Sequence, residues 1–280
     1  MFINYYEILN LNPKKSIEEV YFQYLQISEL VPGMLRGSVI SYDWYKSAEG
    51  QGVLAQLTDP TTGYRKLFGL LEQPSLPPSI PVQSFKLFLV GRTASGKTCL
   101  VSWLAGLPGW NCTTGESPGV RVTQVYWPCL VTQPRPATAH LITFKLQLWD
   151  AGDGAVRKYG HVYPVCREDA SGVILTFSFT DRSSWEELPA LIQRTIAGAG
   201  DGVESILPIV VGTKFGSLAE NEVSQEEVAE AETNWNIPII KVRHSTGPAP
   251  TSLPEVATAL NTICEQLWLA KHRGRLSAEF

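Results

Sequence analysis

The sequence predicts an α/β domain whose mostly parallel sheet carries helices on both faces. Three observations lead there. From Phe85 onward, short apolar runs alternate with stretches of helical periodicity. A glycine-rich octet, Gly91-Arg92-Thr93-Ala94-Ser95-Gly96-Lys97-Thr98, stands at the first strand-to-helix junction. An aspartate, Asp150, closes a later apolar run.

In chain order, residues 1–33 form an N-terminal helical extension. Ser16 with Glu18 and Glu19 is an acceptable helix start, Val20, Tyr21, Tyr24 and Leu25 recur at helical spacing, and Val31-Pro32-Gly33 breaks the pattern. Residues 34–84 form a distinct segment and linker, because Pro74, Pro77, Pro78 and Pro81 exclude regular structure from Phe68 to Gln83. The main domain spans 85–272, followed by a tail, 273–280. It opens with a strand from Phe85 to Val90 and a helix from Thr98 to Ala105, closed by Gly106 and Pro108. Val120 to Leu130 and Leu141 to Trp149 read as a hairpin. Then come strand Gly172 to Phe179, helix Ser183 to Ile196, strand Ile206 to Val211, helix Gln225 to Trp235, strand Pro238 to Val242 and helix Leu253 to Ala270. In such a sheet, ligands bind at the C-terminal edge of the strands.

Composition narrows the function classes. The 280 residues are 44% hydrophobic and 18% charged, enough to bury one sizeable core. A net charge of −4 without a dense Lys/Arg block disfavours nucleic acid and anionic membranes as partners. No apolar run approaches the roughly 20 residues of a membrane span, and the N-terminus lacks a secretory pattern. The cysteines at 99, 112, 129, 166 and 264 have no metal-ligand spacing and are expected to be reduced thiols in a cytoplasmic protein.

The octet has the form GxxxxGK[ST]. Its glycines let backbone N–H groups wrap phosphate oxygens at a helix N-terminus, Lys97 reaches the β- and γ-phosphates, and the Thr98 hydroxyl takes Mg²⁺. Leu148-Trp149-Asp150-Ala151-Gly152-Asp153-Gly154 supplies the acidic strand end such sites require. Here the sequence resembles the Ras and Rab small GTPases, in which that aspartate holds Mg²⁺ through water and a following glycine N–H meets the γ-phosphate. Asp150 matches the aspartate. Gly152 falls one residue early and Gly154 one late, so both remain candidates for the glycine. Between these motifs, Ser117 before Gly119-Val120 matches the metal-binding threonine of the first switch loop, with Thr114 as competitor and a plain loop serine as the alternative. In Thr180-Asp181-Arg182-Ser183-Ser184-Trp185, Asp181 or Ser183 caps a helix and Trp185 packs it on the sheet.

The guanine-reading motif departs from the family. Where Asn/Thr-Lys-x-Asp is expected, the chain has Thr213-Lys214-Phe215-Gly216, so Gly216 replaces the carboxylate that accepts two guanine hydrogens. His244-Ser245-Thr246 is a faint counterpart of the last motif, with Ser245 in the matching position. The resemblance therefore assigns GTP or GDP to Gly91 through Thr98, Cys99, Gly152, Thr213, Lys214 and Ser245, and Mg²⁺ to Thr98, Ser117 and Asp150.

Further segments, Ser47-Ala48-Glu49-Gly50, Phe68-Gly69-Leu70-Leu71-Glu72, Tyr126-Trp127-Pro128, Phe177-Ser178-Phe179-Thr180-Asp181-Arg182 and Glu265-Gln266-Leu267-Trp268, resemble the Rem- and Rab-like small GTPases of the ciliogenesis and planar polarity effector complex. That family shares the shortened Asp-x-Gly spacing. The resemblance implies a P-loop small-GTPase fold, a role in cilium assembly at the basal body, and the Fuzzy and Inturned subunits as partners. Asn4 to Pro13 resembles the opening of a J-domain, but its His-Pro-Asp tripeptide is absent from the chain.

Four activities compete. A switch with slow or absent hydrolysis fits best, because Thr93 stands where efficient hydrolases have glycine, and Asp153 or Gly154 stands where a glutamine orients water. Those same positions argue against an efficient GTP hydrolase, so no catalytic residue is assigned. A kinase needs an arginine-bearing lid that is not evident, whereas Gly216 keeps a nucleotide-locked scaffold open. The C-terminus, Arg273 to Phe280, offers no prenylation motif, so localisation is expected to come from a protein partner.

Overall fold

The computed structural model describes residues 37, 39–107, 119–134, 137–152, 162–197, 206–216, 221–243 and 253–276. Among the described residues six strands form one sheet: β1 (Val82–Val90), β2 (Val120–Pro134), β3 (Ala137–Ala151), β4 (Gly172–Ser178), β5 (Leu207–Phe215) and β6 (Ile239–Arg243), in the order β2-β3-β1-β4-β5-β6. Only the β2–β3 pair is antiparallel. The helices are α1 (Ala48–Gln56), α2 (Lys97–Ala105), α3 (Val162–Arg167), α4 (Arg182–Glu186), α5 (Leu188–Ala197), α6 (Gln225–Trp235) and α7 (Leu253–Leu276).

Alternation along the strands sorts the core into two layers. Phe85, Leu87 and Leu89 of β1, with Ile174, Ile209 and Val211, pack in one cluster with α2 and α7. Val173, Leu175, Phe177 and Val210 pack in the other with α4, α5 and α6. β4 is buried along its whole length, as a central strand covered on both faces must be.

Several boundaries moved for identifiable reasons. The hairpin strands are longer than expected, pairing from Val120↔Ala151 to Pro134↔Ala137. Pro128 sits inside β2 at no cost to the ladder. Even-numbered residues of β2 face outward, since Leu130 O accepts from Ser41 N and Thr132 N donates to Val39 O on that side, so the missing N–H of Pro128 lies on the outer edge. The single helix expected from Ser183 to Ile196 is two, α4 and α5. Pro189 has no N–H to continue the helical ladder and fits instead within the first turn of a new helix. Asp181 caps α4 by accepting from Ser183 N at 3.1 Å, and Trp185 is buried against Phe177. α7 runs six residues past Ala270. Neither α1 nor α3 was anticipated. The expected helix within residues 1–33 lies outside the described residues.

Residues 39–57 pack onto the domain rather than standing off from it. Val39, Ile40, Trp44, Val53, Leu54 and Leu57 are buried, and Ile40 bridges Val131 on the outer edge of β2. The α7 carboxylate of Glu265 accepts from the N–H groups of Gly37 (3.1 Å), Val39 (3.0 Å) and Ile40 (3.2 Å) and from the Tyr42 hydroxyl (3.0 Å). Four donors satisfy a charge that is 5% exposed. One turn earlier, Asn261 accepts from Trp127 Nε1 at 2.7 Å and donates to Tyr42 O at 3.2 Å. Residues 68–81 contain no helix or strand, as their prolines require, but β1 begins at Val82, three residues earlier than expected, because every residue of β1, past Pro81, has an N–H for the ladder. Among the described residues no helix is long and apolar enough to cross a membrane.

Candidate nucleotide-binding site

The glycine-rich loop joins β1 to α2 at the C-terminal edge of the parallel strands. Two of its glycines are dictated by close packing. A Cβ on Gly91 would stand 2.3 Å from Thr176 Oγ1 and 2.5 Å from the Thr176 carbonyl. Gly96 has φ 89°, and a Cβ there would stand 2.9 Å from Thr213 Oγ1. Ser95, fully buried, shares a hydrogen bond with Thr176 at 2.8 Å, and the Thr213 hydroxyl donates to Ser95 O at 2.6 Å. The loop is thus fastened from β4 and β5, leaving Arg92, Thr93 and Ala94 exposed.

Lys97 opens α2 and folds its ammonium back over the loop, donating to Gly91 O at 2.6 Å and Arg92 O at 2.8 Å. The Thr98 hydroxyl donates to Asp150 Oδ2 at 2.6 Å, joining the head of α2 to the end of β3. Asp150 is 1% exposed. Hard oxygen donors from Thr98 and Asp150, beside a lysine and a helix N-terminus, match in chemistry what a divalent cation and a polyphosphate require. The residues present fit that pair.

Of the residues expected to read the base, Thr213, Lys214 and Gly216 are described. Lys214 has φ 58° and reaches Ala94 O with its ammonium at 3.1 Å, so its side chain lies along the glycine-rich loop. Gly216 has φ 65°, and a Cβ there would meet open space. At the other side of the site, Gly152 N donates to Gly119 O at 3.3 Å, pinning together the points where β3 ends and β2 begins. Thr114, Ser117, Asp153, Gly154 and Ser245 lie outside the described residues.

Cys99, next to Thr98, is disulfide-bonded, which corrects the expectation of five reduced thiols. Spacing along a chain does not reveal which thiols meet in space. Cys129, Cys166 and Cys264 are free and buried, and burial raises the pKa of Cys166 and Cys264.

Sequence reasoning missed the residues that hold this site from behind. Thr176 buttresses the loop as described above. Lys86 of β1 lies 4.2 Å over the Trp149 ring and donates to Val165 O at 3.0 Å and Glu168 O at 2.6 Å, capping the end of α3. Arg65 donates to the carbonyls of Trp103 and Leu104 at the C-terminus of α2, and burial lowers its pKa to about 10. No local motif marks these three.

The strand order, the antiparallel β2–β3 edge and the glycine-rich loop between β1 and α2 define a Ras-type domain. The Ras family model matches residues 132–247. The chain is 36% identical to ciliogenesis and planar polarity effector 2 of Xenopus laevis over 254 residues, 86% of this chain and 95% of that protein. The human protein of that name is 34% identical over 253 residues, 86% and 93% respectively. More distantly, bovine Ras-related protein Rab-26 is 27% identical over 171 residues, 59% of this chain and 58% of that protein. The chain belongs to the ciliogenesis and planar polarity effector 2 family of small-GTPase-like proteins.

Proposed function

We propose that this chain is a GTP-dependent switch that recruits partners during cilium assembly, with slow or absent hydrolysis. The names of its relatives support the cellular role. The observation that carries the biochemical reading is the 2.6 Å contact of Thr98 with buried Asp150, beside Lys97 folded over the loop. These are the residues that would hold Mg²⁺ and the β- and γ-phosphates. When bound, Mg²⁺ would offset phosphate charge as a hard cation. The chain's own contribution is to orient the two oxygen donors and to keep Lys97 at the head of α2. Titrating a Mg²⁺-loaded fluorescent GTP analogue against wild type and Lys97→Ala tests this. A large loss of affinity is expected, and equal affinities would end the reading.

The absence of a carboxylate at Gly216 favours a second reading, a nucleotide-locked scaffold with weak guanine preference. Identifying the nucleotide released on denaturing freshly purified protein separates the two: exchangeable guanine nucleotide supports the switch, and a single non-exchanging nucleotide supports the scaffold. By family resemblance, the partners proposed are the Fuzzy and Inturned subunits, reached through Ser117 to Tyr126 and Gly152 to Tyr159, with the complex acting in the cytoplasm at the basal body. Thr93, exposed at the rim of the loop, supports slow turnover, which single-turnover phosphate release measures.

A further inference from the structure

At the end of the sheet opposite the phosphate loop, β3 outruns its neighbour. β2 pairs with β3 as far as Ala137, but β1 joins only at Val82↔Thr143. The Thr143 N–H donates to Pro81 O at 2.9 Å, and this is the last backbone bond on that side among the described residues. Strand alternation then points the N–H and C=O groups of Leu141 and Ala139 toward the same side, beyond the start of β1. Ala139 is exposed and Leu141 half-buried. The linker running past them carries Pro77, Pro78 and Pro81, which have no N–H to donate, and Ile80 N is already bonded to Pro77 O. A groove of about 620 Å³ remains between this edge, the linker and α1, with Val53, Pro77, Ile80 and Leu141 among its walls and Glu49 and His140 as its ionisable groups.

We propose that this edge and groove form a docking site for an extended segment of a partner protein, which adds as a strand along Ala139 and Leu141. The occupant's chemistry follows from the site. Alternate backbone donors and acceptors along a strand edge match the spacing of another extended backbone, which replaces water on them, and an adjacent apolar groove selects alternate side chains. The groove takes an apolar residue. Glu49 is exposed at its rim with no ion pair among the described residues, so a Lys or Arg two residues away completes the pattern. The site is separated from the phosphate loop by the length of β1, about 26 Å at ~3.3 Å per residue. Docking here is therefore independent of nucleotide state, unlike recruitment through the switch loops.

The test selects peptides from a phage-displayed library of random decapeptides on the full chain, then measures synthetic versions by fluorescence anisotropy. Enrichment of alternating apolar residues with Lys or Arg is expected. N-methylating the backbone in one alternate register should abolish binding while the other register leaves it intact. Leu141→Pro removes an edge donor without cutting an internal ladder bond and should weaken binding about tenfold or more. Glu49→Lys should weaken only the basic peptides. Thr98→Asn should bind them like wild type. Absence of an enriched pattern, indifference to N-methylation, or equal binding by Leu141→Pro and Glu49→Lys would overturn the proposal. So would sedimentation showing that this edge pairs two copies of the chain.

Discussion

Gly216 is the residue whose substitution reports most directly on the nucleotide. Its φ of 65° is one that aspartate tolerates better than most residues, and its missing Cβ faces open space. Gly216→Asp is therefore expected to fold at a strain cost of about 1–2 kcal/mol and to sharpen preference for guanine over adenine nucleotides by about tenfold, the effect of roughly 1.4 kcal/mol of restored hydrogen bonding. Competition of GTP and ATP against a fluorescent analogue measures it, and unchanged selectivity would show that residue 216 does not face the base. Gly91 makes the opposite prediction. The Thr176 carbonyl stands where a Cβ would go and, being backbone, cannot swing aside. Gly91→Ala should cost about 1–3 kcal/mol in stability, seen as a lowered Tm, together with lost nucleotide binding. The octet was readable because phosphate binding demands glycines at fixed spacing. Thr176 was not, because its role depends on which strand the sheet places beside the loop.

At the scale of elements, the segment before β1 matters most. Six buried apolar side chains from residues 39–57, at about 1.5–3 kcal/mol each as an upper range, represent a gross contribution comparable to the net stability of a domain. Glu265 is the polar latch. Glu265→Ala leaves the N–H groups of Gly37, Val39 and Ile40 without their acceptor, at a cost on the order of 3 kcal/mol. A lowered Tm and faster limited proteolysis before residue 58 are expected, with nucleotide affinity retained at low temperature. Proteolysis as slow as in wild type would show that apolar burial alone holds the segment. The prolines at 74, 77, 78 and 81 mark the stretch that follows it as irregular. That the segment closes the outer edge of β2 was hidden, because the interaction spans more than 220 residues of sequence.

For the whole molecule, the proposed switch and the proposed strand edge lie at opposite ends of β1, so one protein can engage partners in two modes. Thr98→Asn, which disturbs the pairing of Thr98 with Asp150, should lose pull-down of the Fuzzy–Inturned assembly while circular dichroism shows an intact fold. Undiminished capture would mean that recruitment does not depend on the metal site. Groove variants such as Glu49→Lys should leave that nucleotide-dependent capture unchanged.

The order of the six strands, the position of the glycine-rich loop, the acidic strand end and the departure from the family's base-reading motif were all determined by local sequence. Periodicity, capping and glycine spacing act over a few residues and leave their marks there. Tertiary structure alone decided that Thr176 and Thr213 fasten the loop, that Arg65 caps α2, that Glu265 gathers the N-terminal segment, and that β3 outruns β1. Each of these depends on which elements become neighbours, a choice made by the sheet order and the packing of two core layers rather than by any stretch of chain read alone.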